Sequence, residues 1–180
     1  QDVPISVTAL GESELQRSSI RDLRDITAYT PNVLINKVSA LQGGAAISIR
    51  GVSYQEIDKS LEPGVGVLLD GVYLGTNAGQ ILEHFDIQRL EVLRGPQGTL
   101  FGRNTIGGAI AIFRTDPTKE FGGKVQGTMG EDGRQDLRGV LNLPMTEKGG
   151  AKLWAAGLNS DGYIENTTFD DDVGGQNYRN

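Results

Sequence analysis

The sequence contains no cysteine, which excludes disulfides, thiolate nucleophiles and thiolate-ligated zinc or iron–sulfur centres. Histidine is almost absent: His84 stands alone, so a multi-histidine metal site is excluded and His84 is expected on a loop or surface. No apolar run approaches the ~18 residues that a membrane-spanning helix needs. There is no signal-like leader either, since the chain opens Gln1-Asp2-Val3-Pro4 without an apolar stretch; that opening is expected of a mature or truncated product. Basic residues are also short, with 17 Lys and Arg against 23 Asp and Glu, and an acidic chain lacks the basic face that nucleic acid requires. Ten basic and 12 acidic residues lie up to Thr115, and seven and 11 lie after it, so the acidic excess lies mostly in the second part.

Glycine is abundant. Twenty-six glycines in 180 residues are roughly twice the usual ~7%. They lie dispersed at the ends of short Val/Ile/Leu runs, as in a fold of short strands and tight turns. Val3 to Thr8 alternates apolar and polar residues and predicts a short strand, with Pro4 placing it near an edge or a strand start. Two helical pieces follow. Glu12 to Arg17 is short; the second is expected to start at Ser19 as N-cap, with Asp22 completing an approximate capping box. Ile20, Leu23, Ile26 and Tyr29 recur at helical spacing until Pro31. Glu12, Glu14 and Asp25 are expected to face water.

Strand patterns take over from there. Ala46 to Arg50 ends in Gly51; Val65 to Leu69 ends in the turn signal Asp70-Gly71, and Val72 to Leu74 resumes beyond it. Asp86 to Leu93 and Ala109 to Phe113 close this region. After Pro117 the texture changes to segments of about ten alternating residues, the pattern of a transmembrane β-barrel meander or of a soluble half-buried one. Val125 and Met129 oppose Lys124, Gln126 and Thr128. Leu137, Leu141, Leu143 and Met145 oppose Asp136, Arg138 and Asn142. In the third strand, Trp154, Ala156 and Leu158 are the expected apolar side. Asp170-Asp171-Asp172 is expected in a longer, solvated loop, lacking the ligand spacing of an EF-hand.

The most distinctive block runs from Glu91 to Ile110 (EVLRGPQGTLFGRNTIGGAI). Physically it is a strand ending in Arg94, then a loop built on Gly95, Gly98, Gly102, Gly107 and Gly108. A phosphate cradle does not fit: Gly102 is followed by Arg103-Asn104, not Lys-Ser/Thr. Gly64-Val65-Gly66 has Leu69 where a dinucleotide fingerprint needs glycine. No nucleophile is paired with a base, so no catalytic residues and no enzyme activity are expected.

This block closely resembles the end of the plug of TonB-dependent outer-membrane receptors. Gln1 to Val7, Ile47 to Val52 and Val67 to Leu74 resemble that family in the same order, and Gly162-Tyr163-Ile164 with Asn166 looks like the loop after the third barrel strand. The resemblance implies an α+β plug domain over residues 1–115. Residues 116–180 would then be the first three to four antiparallel strands of a large, about 22-stranded, transmembrane β-barrel. It also implies a receptor fragment that binds a scarce nutrient such as a ferric siderophore and imports it with energy from TonB. Its partners would be TonB, the ligand and outer-membrane lipid; no cofactor and no metal site are implied.

Further expectations follow from the resemblance. Arg50 and Arg94 would pair with barrel-wall carboxylates, with Glu91 and Arg103 joining the plug–barrel anchoring. Gly95, Pro96, Gly98, Gly102, Gly107 and Gly108 would form the signature loop. Two long polar excursions between strands, Asn36 to Gly44 and Ser53 to Pro63, would be the apical ligand-contacting loops, through Asn36, Ser39, Gln42, Ser53, Tyr54 and Gln55. The sequence departs from the family in two places. The Ton box, which normally lies just before the position of Gln1, is absent, and Ala111 to Pro117 replaces the commoner asparagine- and threonine-bearing junction strand. A free-standing soluble plug-like binding module is the competing expectation, and it would bury the Leu137, Leu141 and Leu143 face in its own core.

Overall fold

The computed structural model describes residues 6–18, 20, 22–38, 44–53, 63–75, 85–131, 133–146, 149–161, 164–166, 171–173 and 176–179, with backbone alone at 53 and beyond 161. The chain divides into two compact units, Gln1–Thr115 and Asp116–Asn180.

Unit 1 holds two sheets. The first takes the order β1-β7-β8-β5-β6, from β1 (Ser6–Gly11), β5 (Val65–Leu69), β6 (Val72–Tyr73), β7 (Ile87–Arg94) and β8 (Gly108–Arg114). Its β5–β8 pair is parallel and the others antiparallel. The second is β2-β3-β4, from β2 (Val33–Lys37), β3 (Ala45–Ile49) and β4 (Val52–Ser53). Helix α1 (Glu12–Arg17), a 3-10 helix (Leu23–Ala28) and a one-turn helix α2 (Gly98–Phe101) complete the unit.

The run Val65 to Leu69 is apolar without interruption because both faces of β5 are covered, as parallel strands require. Val65 and Val67 join Leu90, Val92, Ile110 and Ile112 on one face, packed with Leu15, Leu23, Ile26, Ile35, Ile47 and Ile49 from the helices and second sheet. Leu68 points the other way, with Leu93, Ala109 and Ala111, against Tyr73, Phe101 and Phe113. Each fully buried Leu or Ile here is worth ~1.5–3 kcal/mol.

Several expectations shift. The first strand runs on to Gly11 and its edge position holds; Val3 to Ile5 lie outside the described residues. The second helix is a 3-10 helix capped by Asp22, not by Ser19, which lies outside the described residues. Asp22 accepts from the Arg24 amide at 2.8 Å, and Asp25 accepts from the Asp22 amide at 3.3 Å. Asp25 is therefore part of a capping box and only partly exposed to water. A carboxylate one residue before the apolar run outcompetes a serine three residues earlier, because the cap must sit within reach of the first free amides. The Arg24 guanidinium pairs with the same Asp22 carboxylate, whose hydrogen bond raises its pKa above the ordinary arginine value. Ile20, Leu23 and Ile26 are buried, whereas Tyr29 is exposed and donates its hydroxyl to the Ser18 carbonyl at 2.9 Å.

Unit 2 contains a sheet of order β14-β11-β10-β9, from β9 (Gly122–Met129), β10 (Gln135–Thr146), β11 (Gly149–Ser160) and β14 (Gln176–Arg179). Ile164–Asn166 (β12) and Asp171–Val173 (β13) pair as a separate hairpin, so Asp171 and Asp172 lie in a strand rather than in an open loop, while Asp170 lies outside the described residues. Register decides the faces, since directly paired residues project to the same side. Val125 opposes Gly139, Leu141 opposes Leu153, and Gly139 opposes Ala155. Trp154 opposes Val140, and Ala156 opposes Arg138. The apolar side of β11 is thus Ala151, Leu153 and Ala155. Trp154, Ala156 and Leu158 share the side of Asp136, Arg138 and Asn142, contrary to expectation, because a one-residue change of register exchanges the faces.

Candidate functional site

The signature loop closes on itself. The Gly95 amide donates to the Gly107 carbonyl at 3.0 Å and the Gln97 amide to Thr105 at 2.9 Å. Between these ties the Leu100 and Phe101 amides of the one-turn helix α2 donate to the Gln97 carbonyl at 3.1 and 3.0 Å, and Thr105 donates its hydroxyl to the Gly102 carbonyl at 2.9 Å. The Gly107 amide reaches the Gly64 carbonyl at 2.9 Å, fastening the loop to the start of β5. Gly95, Gly107 and Gly108 are buried, while Pro96, Gly98 and Gly102 are exposed.

Close approach explains the glycines at the base of the loop. A Cβ on Gly108 would lie 2.3 Å from the Leu93 carbonyl oxygen, at a φ of +147°. Gly66 lies under Thr105, whose Cγ2 occupies a point 2.7 Å from where a Cβ would stand. Thr105 (1% exposed) and Gln97 (4%) are the polar residues that the sequence alone does not single out. The available signal was Gly66 in the middle of an apolar strand, which marks close approach by another segment.

Arg50 and Arg94 come to one corner of unit 1. Arg50 and Gly51 form the two-residue connection between β3 and β4, with φ of 53° and 80°. This is the left-handed pair a tight hairpin demands, and arginine at the first position costs roughly 1–2 kcal/mol of backbone strain. The Arg50 amide donates to the Asn32 carbonyl at 2.8 Å, and its Nη1 lies 3.4 Å from where a Cβ on Gly95 would stand. Arg94, at the end of β7, donates through Nη1 to the Pro31 carbonyl at 3.3 Å, while its Nε is buried without a partner. Among the described residues neither arginine has an ion-pair partner. Among the described residues the corner therefore presents two guanidinium groups with no carboxylate to neutralise them.

Glu91 differs, since it accepts from Arg89 Nε at 2.8 Å. Arg89 also lies over the Phe113 ring, 3.7 Å from its centroid. Arg103 is exposed on the signature loop.

The expected apical residues are less visible. Asn36 lies in β2, opposite Ala46, and not in a loop; pairing with β3 extends the strand to Lys37 despite its polar sequence. Ser53 ends β4. Ser39, Gln42, Tyr54 and Gln55 lie outside the described residues, as does His84. Among the described residues no group of three or more His, Asp or Glu is placed to hold a metal ion.

Comparison with known proteins decides the family. The model of the TonB-dependent receptor plug domain matches residues 1–109. The chain belongs to the TonB-dependent receptor plug family. The pesticin receptor of Yersinia pestis is 31% identical over 176 residues, which cover 95% of this chain and 25% of that receptor. The ferrioxamine B receptor of Salmonella typhimurium is 26% identical, over 78% of this chain and 20% of its own length. The ferric yersiniabactin uptake receptor of Yersinia pestis superposes with a TM-score of 0.79 at 26% identity, covering 95% of this chain and 27% of that one. The chain thus spans about a quarter or less of the length of these relatives. Within the plug, the mixed sheet and few helices are the family's fold, and the closed glycine loop is the segment by which the sequence resembled it.

Proposed function

We propose that this chain is the N-terminal part of an outer-membrane receptor that binds a ferric siderophore and imports it with TonB-coupled energy. Unit 1 is the plug that gates the lumen, and unit 2 supplies the first strands of an about 22-stranded barrel. The observation that carries the reading is the two-faced sheet of unit 2. Val125 is 76% exposed, Leu137 61% and Leu153 57%, all on one face, while Asp136 and Arg138 on the other are buried. A soluble module would cover such an apolar face; a barrel wall turns it to lipid. Strands β10 and β11, of 12 residues each, are long enough to cross a bilayer at a tilt.

The arginine corner supports the anchoring role. Arg94 is partly buried with its Nε unpartnered, which is costly unless an acid outside the plug meets it; Arg50 is exposed beside it, and barrel-wall carboxylates would pair with both. Glu91 and Arg103 extend the same anchoring surface. Ligand would contact the apical segments that include Asn36, Ser39, Gln42, Ser53, Tyr54 and Gln55.

The test is uptake by cells. Iron-starved cells lacking the gene should lose import of one ferric siderophore from a panel, and the full-length protein should fractionate with the outer membrane. A gene product found in the soluble fraction would sink the reading in favour of a free plug-like binding module.

A further inference from the structure

The first and last long strands of unit 1 are fastened very differently. Where β8 ends, Arg114 donates its amide to Asp70 Oδ1 at 2.8 Å and its Nε to Asp70 Oδ2 at 2.6 Å. The next residue, Thr115, donates its amide to the Asp86 carbonyl at 3.1 Å and its hydroxyl to Asp86 Oδ1 at 2.6 Å. The Asp70 amide returns a bond to the Ile112 carbonyl at 2.8 Å. Both acids hold left-handed backbone, at φ of 50° and 65°. Such strain in non-glycine residues persists only where surrounding bonds over-determine it. Two turns far apart in sequence are thereby stitched to the last two residues of unit 1, next to the boundary at Asp116.

At one edge of the sheet, two strands away from β8, β1 is held by its backbone ladder to β7 and by the buried side chain of Leu10. Among the described residues no side-chain hydrogen bond or ion pair ties Ser6–Gly11 to a neighbour, and Leu10 is its only buried side chain. An edge strand with one buried residue opens locally at low free energy, whereas charge-assisted bonds at a strand end suppress fraying.

We propose that Asp70 and Asp86 form a latch that holds the last plug strand in place while the first strand is free to leave. This rests on the receptor reading only for its purpose: a plug pulled from its N-terminal side must yield at one edge and stay fixed where the chain continues into unit 2. Asp70 and Asp86 are positioning residues in this scheme, acting through Arg114 and Thr115.

Hydrogen exchange on the full-length protein in detergent tests the latch without ligand or TonB, so its failure is separable from failure of the uptake assay. In the native protein the segment 6–11 should exchange much faster than 108–115. Asp70→Asn keeps a side chain that tolerates left-handed backbone, and Thr115→Val keeps the shape of the threonine. Each should raise exchange over 108–115 by about tenfold, as expected for loss of a charged or buried hydrogen bond, and leave 6–11 unchanged. Unchanged protection of 108–115 in both variants overturns the latch. So does a uniform rise across unit 1, which would make these bonds general stabilisers and not a local hold.

Discussion

Replacing Gly108 by alanine puts the base of the signature loop to a quantitative test. Two costs add there. The φ of +147° is a conformation that L-residues rarely adopt, worth about 1–3 kcal/mol. The new methyl would stand 2.3 Å from the Leu93 carbonyl oxygen and 3.0 Å from Ile49 Cδ1. The carbonyl belongs to β7, which pairs with β8 at this point, so it cannot retreat without breaking the ladder; overpacking of this kind costs about 1–3 kcal/mol. The expected loss is about 4 kcal/mol, a large share of the ~5–15 kcal/mol that stabilises a domain.

Gly98 and Gly102 supply the controls. A Cβ on Gly98 meets nothing within 4 Å and its φ is ordinary, whereas Gly102 has open space at φ +79°. Alanine should therefore cost near zero at 98, roughly 1–2 kcal/mol at 102 from backbone strain alone, and most at 108. Pulse proteolysis of unit 1 in the full-length protein across a urea series reads the order. With a slope of about 2 kcal/mol per molar urea, Gly108→Ala should lower the midpoint by about 2 M. Equal midpoints for the 98 and 108 variants would refute the close-approach explanation of the loop.

Other outcomes follow from the same geometry. Arg50→Asn should strengthen the β3–β4 turn by about 1 kcal/mol, since asparagine accepts left-handed backbone more readily, yet weaken retention of the plug in the barrel; thermal unfolding and protease release of the plug measure the two separately, and tighter retention would contradict the anchoring role. Asp22→Ala should cost about 1 kcal/mol by removing the helix cap, seen as a lower urea midpoint, and an unchanged midpoint would make the cap ornamental. If β11 is barrel wall, as proposed, Leu153→Arg should cost about 2–4 kcal/mol near the bilayer midplane and reduce assembly into the outer membrane, while Trp154→Arg should be better tolerated. The reverse order in a heat-modifiability gel would mean that the faces are assigned the wrong way round.

Some of this protein was determined by its sequence alone. Val65 to Leu69 is a strand because five consecutive apolar residues need cover on both faces, and Asp70-Gly71 turns because its backbone must be left-handed twice. The alternation of β10 is as plain in one dimension as in three. The glycine loop was legible as a loop, and through its residues as a family. The structure alone decided what depends on a partner. Val33 to Lys37 has no alternation strong enough to announce a strand, and it becomes one because β3 offers it a ladder. Which side of β11 is apolar was decided by register with β10, since Lys152 to Leu158 carries apolar residues of both parities. The corner that unites Arg50 with Arg94, and the latch that binds Asp70 and Asp86 to Arg114 and Thr115, join residues at least 29 apart in sequence. Local propensity and periodicity act over a few residues, so they specify elements; pairing and packing act between distant ones, and only the folded chain brings those side chains within reach.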